Sequence, residues 1–220
     1  MQTLRSARVS LFLAILATGT ALADQDPTTQ PAAPGQRTGK EAAAPAGVKP
    51  GQDAPAFELA DCHGKTEKLS DYKDKTVVLV WVNQKCPFSD GAVPALKELH
   101  KKYADQGVVW LAIDSTPDRK PEDNVEYVKR REFPVPILMD SDGKVGHLYG
   151  ARTTPHVFLV NKGKLAYMGA LHTDPNLKVA DSEVRGYLDE ALAAVLAGKT
   201  VPLAETKSWG CPVHYREEKK

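Results

Sequence analysis

Residues 76–82 read TVVLVWV, a continuous apolar and β-branched run without alternation, which is the pattern of a strand buried on both faces. A second such run, VVWLAI, occupies residues 108–113. Between them Ala92, Val93, Leu96, Leu99 and Tyr103 recur at helical spacing, with Pro87 at the front and Gly107 just beyond, so the spacing predicts a helix from Pro87 to about Asp105. A more polar helix carrying Val125, Tyr127 and Val128 is expected over 121–133, then a short apolar stretch over 135–139 and an Asp140-Ser141-Asp142-Gly143 turn.

Residues 156–160 and 164–168 flank Asn161-Lys162-Gly163 and predict a hairpin. Residues 57–60 and 67–70 flank the polar turn Asp61-Cys62-His63-Gly64 and predict a short lead-in hairpin. A last helix should start at a cap on Asp181 or Ser182, run through Leu196 and stop at Gly198. Strand, helix, strand, helix, hairpin and helix in that order predict an α/β fold. Right-handed crossovers put helices on both faces of one central sheet, with the two apolar strands side by side at its middle.

Composition changes this picture mainly at the amino-terminal end. Arg5 and Arg8, a short apolar run over 11–17 and Ala21-Leu22-Ala23 form the pattern of a cleaved export signal, which assigns residues 1–23 to a leader and the protein to the periplasm or the exterior. Residues 24–48 are rich in Pro, Ala, Gly, Gln and Thr and are expected to form a flexible tether. Residues 49–220 then make one domain. No later run approaches the ~20 apolar residues that a spanning helix needs, so stable membrane insertion of the mature chain is not expected. A net charge of +1 without a basic stripe argues against nucleic acid as a partner.

The chemistry is concentrated at the cysteines. Cys86 lies just past the end of the first apolar strand, and sites in such sheets sit at the carboxyl ends of the strands. Pro87 fits the first helical position, which makes Cys86 the N-cap. Free amides, the positive helix end and neighbouring Lys85 all favour thiolate over thiol. Ser89, one turn in, is placed to aim its hydroxyl back at the sulfur. Three cysteines, Cys62, Cys86 and Cys211, allow at most one intramolecular disulfide. A Cys86–Cys211 bond would split a dithiol between helix and tail. A Cys62–Cys211 bond would instead staple the tail to the lead-in hairpin and leave Cys86 alone; spacing does not choose between them.

The segment TVVLVWVNQKCPFSDGAVPALKELHKKY resembles the first strand and active-site helix of the thioredoxin-like superfamily, in particular its exported redoxin branch with TlpA-type and AhpC/TSA-type proteins. Pro94 matches the proline that kinks that helix, and Arg152-Thr153-Thr154-Pro155 matches the loop that carries the superfamily's cis-proline. The resemblance runs from about Val48 to the end of the chain. It implies a thioredoxin-like fold with a mixed central sheet, a cis bond before Pro155, and a substrate groove at Thr154 and Pro155 beside Cys86. The pattern departs from dithiol members in having Ser89 where they carry a second cysteine. It departs from peroxiredoxins in having Asn83 and Leu79 where they carry a threonine or serine and a proline.

The expected function is thiol-disulfide exchange, with Cys86 as nucleophile, Cys211 as possible resolving thiol, protein thiols or disulfides or a reducing partner as the reactants, and no cofactor. Two alternatives remain. One is a thiol peroxidase in which Cys86 becomes a sulfenic acid. The other is a non-enzymatic module that binds copper, zinc or a partner, with His63, Cys211 and His214 as the weak metal set. His156, beside Pro155, is the one histidine expected to tune Cys86; His100, His147 and His172 read as surface or loop residues.

Overall fold

The computed structural model describes residues 47–175 and 184–216. The leader, most of the tether and the expected Asp181 or Ser182 cap lie outside them. In chain order the elements are β1 (Glu58–Ala60), β2 (Thr66–Lys68), β3 (Thr76–Trp81), α1 (Pro87–Lys102), β4 (Val109–Asp114), α2 (Pro121–Arg131) and β5 (Ile137–Met139). There follow α3 (Lys144–Tyr149), β6 (Thr153–Thr154), β7 (His156–Asn161), β8 (Lys164–Gly169), α4 (Tyr187–Leu196) and β9 (Cys211–Pro212).

Five strands make one mixed sheet in the order β5-β4-β3-β7-β8. The β3–β4 and β4–β5 pairs are parallel, and β7 runs antiparallel to β3 and β8. The two apolar runs are neighbours, and β3 is the central strand. Its lack of alternation has a direct cause. Val78 and Val80 enter a cluster with Leu96 of α1, Tyr127 of α2 and Leu188 of α4, while Val77, Leu79 and Trp81 enter a second cluster with Phe57 and α3 residues Val145 and Tyr149. Both faces are therefore covered, and apolar side chains serve on each.

β1 and β2 form the lead-in hairpin, which touches the edge of the sheet through Asp61 and Leu138. The six-residue α3 has no counterpart among the sequence expectations. It is built from the turn itself: buried Asp140 accepts hydrogen bonds from the backbone N–H groups of Val145 (3.1 Å) and Gly146 (2.9 Å) and from Ser115 Oγ (2.6 Å). The turn carboxylate thus satisfies the free amides of a helix entry.

Beyond α4 the tail doubles back over the domain. It passes Met168 at Glu205 and then lays β9 antiparallel against β6, with Thr154 opposite Cys211. Tyr215 ends the run by donating from its hydroxyl to the Ala151 carbonyl (2.7 Å) and stacking on His147 at 4.0 Å. Among the described residues no helix is long and apolar enough to cross a membrane.

Candidate active site

Cys86 sits where β3 hands over to α1. It is the N-cap, with φ −91° and ψ 117°, Pro87 follows at the first helical position, and the Ser89 N–H donates to its sulfur at 3.4 Å. The loop before it is fixed by Asn83, whose carbonyl accepts from the Cys86 N–H (2.9 Å) and whose side-chain oxygen accepts from the Lys85 N–H (2.8 Å). The Thr154–Pro155 peptide is cis, and the Thr154 carbonyl lies 3.0 Å from the Cys86 sulfur as the acceptor for its S–H. Helix start, cis-proline loop and tail strand thus meet at one sulfur atom.

The third partner is Cys211. Its backbone pairs with Thr154, and it borders the same cleft as Cys86. Close approach of the tail depends on Gly210, at φ +130°: a Cβ there would lie 2.2 Å from the Thr154 carbonyl oxygen. Trp209 anchors the strand from the other side by donating from its indole N–H to the His172 carbonyl (2.7 Å) and packing near Phe88.

The electrostatics follow from these contacts. Burial pushes the Cys86 thiol up, but hydrogen bonds from the Cys211 thiol, the Thr154 side chain and the Ser89 N–H outweigh it and hold Cys86 below its ordinary value. Cys211 moves the other way, pushed up to about 11 by burial, by its hydrogen bond to Cys86 and by the charge there. Of the two thiols, Cys86 is therefore the one that gives up its proton first.

Several sequence expectations are corrected. Ser89 does not turn its hydroxyl to the sulfur: that oxygen accepts from the Asn83 N–H at 3.1 Å, and it is the Ser89 backbone that faces Cys86. Lys85 lines the cleft beside Cys86, but hydrogen bonds rather than its charge lower the thiol. His156 is no tuner. It accepts from the Arg152 N–H at Nδ1 (3.2 Å), and burial, with the Arg152 charge, pushes its pKa down to about 3, so it is neutral. His172 does lie in a loop, after β8, but it is buried there, and burial lowers its pKa. Arg152 itself is exposed.

Cys62 is held elsewhere. It is buried against β5 through its N–H to the Ile137 carbonyl (2.9 Å), and burial raises its thiol. The tail brings Cys211 to Cys86 and not to Cys62. The metal set is not assembled either: His63 stays exposed at the β1–β2 turn, and no three His, Cys, Asp or Glu side chains among the described residues converge as metal ligands.

Sequence reading missed Arg119. Its side chain is only 5% exposed and pairs with Asp114 through Nε (3.1 Å), while a terminal guanidinium nitrogen donates to Asn83 Oδ1 (3.1 Å). Asn83 is thereby clamped between the β4 end and the Cys86 loop. Thr116, Asp118, Asp123 and His214 join these groups around a cleft of about 290 Å³ that reaches both Cys86 and Cys211. In the sequence the only signal was Pro117-Asp118-Arg119-Lys120 after a strand, which reads as a solvated loop.

A model of the AhpC/TSA family matches residues 50–168. Among curated proteins, the thiol-disulfide oxidoreductase ResA of Geobacillus thermodenitrificans is 34% identical over 116 residues, which is 52% of this chain and 65% of that protein. The match thus spans less than two thirds of the relative's length. Among solved structures, a hypothetical protein from Sinorhizobium meliloti aligns with TM-score 0.69 and 29% identity over 78% of this chain and 97% of its own. The exposed lipoprotein thioredoxin of Streptococcus pneumoniae aligns with TM-score 0.50 and 26% identity, covering 66% of this chain and 99% of its own. These likenesses agree with the thioredoxin-like architecture of the mixed sheet.

Proposed function

The chain belongs to the AhpC/TSA family, and from that premise we propose that it is an exported thiol-disulfide oxidoreductase whose dithiol is split between the start of α1 and the tail. One observation carries this reading: β9 pairs Cys211 with Thr154, whose carbonyl accepts from the Cys86 sulfur, so that both thiols border one cleft at a helix N-terminus and the cis-proline loop. Cys86 is the nucleophile, Cys211 the resolving thiol, and Lys85, Pro87, Ser89, Thr154 and Pro155 form the surrounding site. The ResA relatives, named as thiol-disulfide oxidoreductases, support the same chemistry.

In exchange, the Cys86 thiolate attacks a sulfur of a substrate disulfide and expels the substrate's other sulfur as thiolate, which takes a proton. Cys211 then attacks Cys86 in the mixed disulfide, releases the second substrate thiol and leaves a Cys86–Cys211 disulfide. Reduction by a partner dithiol returns both cysteines to thiols. Protein thiols and disulfides are the proposed substrates, and no cofactor takes part. Residues 1–23 act as the leader and 24–48 as the tether of the 49–220 domain, so the mature chain begins at Asp24.

The geometry favours exchange over peroxide reduction, because the buried cation nearest the site, Arg119, is spent on Asp114 and Asn83. The test is reduction of a protein disulfide such as insulin, with peroxide consumption measured in parallel. Loss of disulfide reduction in Cys86→Ser with little peroxide turnover in the parent supports the reading. Fast peroxide turnover without disulfide reduction replaces it with the thiol peroxidase.

A further inference from the structure

Cys86 borders two clefts. The one already described also reaches Cys211, and its fixed charges balance: Lys85 and Arg119 stand with Asp118 and Asp123, together with His214. The second, of about 320 Å³, lies between the start of α1 and the end of α2 and is not bordered by Cys211. The two share only Lys85 and Cys86.

The second cleft is not balanced. Three cations, Lys85, Arg130 and Arg131, line it with one carboxylate, Asp90. Asp90 is taken by Arg131, as an ion pair at 2.8 Å and through the Asp90 carbonyl, which accepts from the guanidinium at 3.1 Å. Arg130 has only Glu126 one turn back, at 3.7 Å with side chains 55% and 76% exposed, a pairing worth little in water. Glu132, next along the chain, is taken by Lys97 at 2.8 Å. Lys85 is exposed and makes no ion pair with a described residue. The basic end of α2 complements its helix dipole, but Lys85 comes from a different element and borders the same cleft. Two uncommitted cations therefore flank the nucleophile on the side away from Cys211's cleft.

We propose that this second cleft receives the peptide that exchanges with Cys86 and selects acidic sequence: Asp or Glu side chains next to the reacting substrate cysteine, held by Lys85 and Arg130. This rests on the reading of Cys86 as the exchanging thiol. A substrate seated here occupies the cleft that Cys211 does not border, so the other cleft stays open to the resolving thiol. The unbalanced charge also draws an acidic chain to the sulfur before contact, an effect that salt weakens.

The experiment uses the reduced full chain and three peptides of equal length, each carrying one cysteine as a thiopyridyl disulfide flanked by Glu, by Gln or by Lys. The Cys86 thiolate bonds to the peptide sulfur, the bond from that sulfur to thiopyridine breaks, and thiopyridine leaves with the electron pair. Its absorbance gives the rate of attack. At low salt the Glu peptide should react about ten-fold faster than the Lys peptide, with Gln between them. The gap should close near ~1 M salt, where charges act over only about 3 Å. Arg130→Glu should remove most of the preference. Lys207→Glu, in a separate cleft with Arg152, should keep it. Equal rates, a faster Lys peptide, a preference that survives Arg130→Glu, or an equal loss in Lys207→Glu overturns the inference. In Cys211→Ala the adduct is not resolved, and peptide mass mapping should find it on Cys86. An adduct on Cys62 instead overturns the reading of Cys86 as nucleophile, a failure separate from a missing charge preference.

Discussion

In the proposed reading, Cys86 owes its reactivity to the directions from which its hydrogen bonds come. The α1 amide of Ser89, the Thr154 side chain and the Cys211 thiol each favour charge on sulfur, and together they outweigh burial. The alkylation rate of reduced Cys86 should therefore rise with a midpoint below the ~8.5 of a free thiol. In Cys211→Ala that midpoint should move up, because a donor to the thiolate is gone; an unmoved midpoint would show that Cys211 contributes nothing. His156 gives a second pH dependence of known sign. Its folded pKa is depressed from 6.5 to about 3, so only the unfolded chain takes up this proton, and the stability linked to it is complete above 6.5 and lost as pH falls toward about 3. Buried His172 is shifted in the same direction. Urea midpoints measured against pH should drop across that window, and His156→Asn should flatten the drop.

At the scale of elements, two connections hold the site together. The tail strand depends on Gly210, so Gly210→Ala should cost about 1–3 kcal/mol as a Cβ forced into the Thr154 carbonyl. It should also speed Cys86 alkylation as the cover lifts; slower alkylation would contradict the geometry. The Asp114–Arg119–Asn83 link ties β4 to the Cys86 loop. Arg119→Ala strands a carboxylate that is 1% exposed and should cost about 3–5 kcal/mol in chemical denaturation. The sheet strands and α1 were legible in the sequence because β-branched runs and a proline-to-glycine punctuation mark them locally. α3 was not, since six polar and apolar residues between two glycines carry too little periodicity to stand out. β9 was illegible for a different reason: its partner Thr154 is a tertiary contact. The N-cap role of Cys86 could be read from Cys-Pro alone, but the choice of Cys211 over Cys62 as its neighbour, the burial of Arg119 and the inward turn of the Ser89 hydroxyl all depend on how distant segments meet.

For the whole molecule, the covered sheet acts as a rigid frame that brings three separate pieces of chain to one sulfur. β3 and α1 supply Cys86, the loop before β7 supplies Thr154 and Pro155, and the tail supplies Cys211. The frame is sensitive to packing on its crowded face: Leu96, 1% exposed between α1 and the sheet, should cost about 2–5 kcal/mol when changed to Ala, without altering the Cys86 pH midpoint. The central claim is that this frame joins Cys86 and Cys211 into one redox pair. Peptide mass mapping of disulfides in the full chain, oxidised and then blocked with an alkylating agent, tests it most directly. The account predicts a Cys86–Cys211 bond with Cys62 as free thiol; a Cys62–Cys211 bond, or three blocked thiols after oxidation, would contradict it.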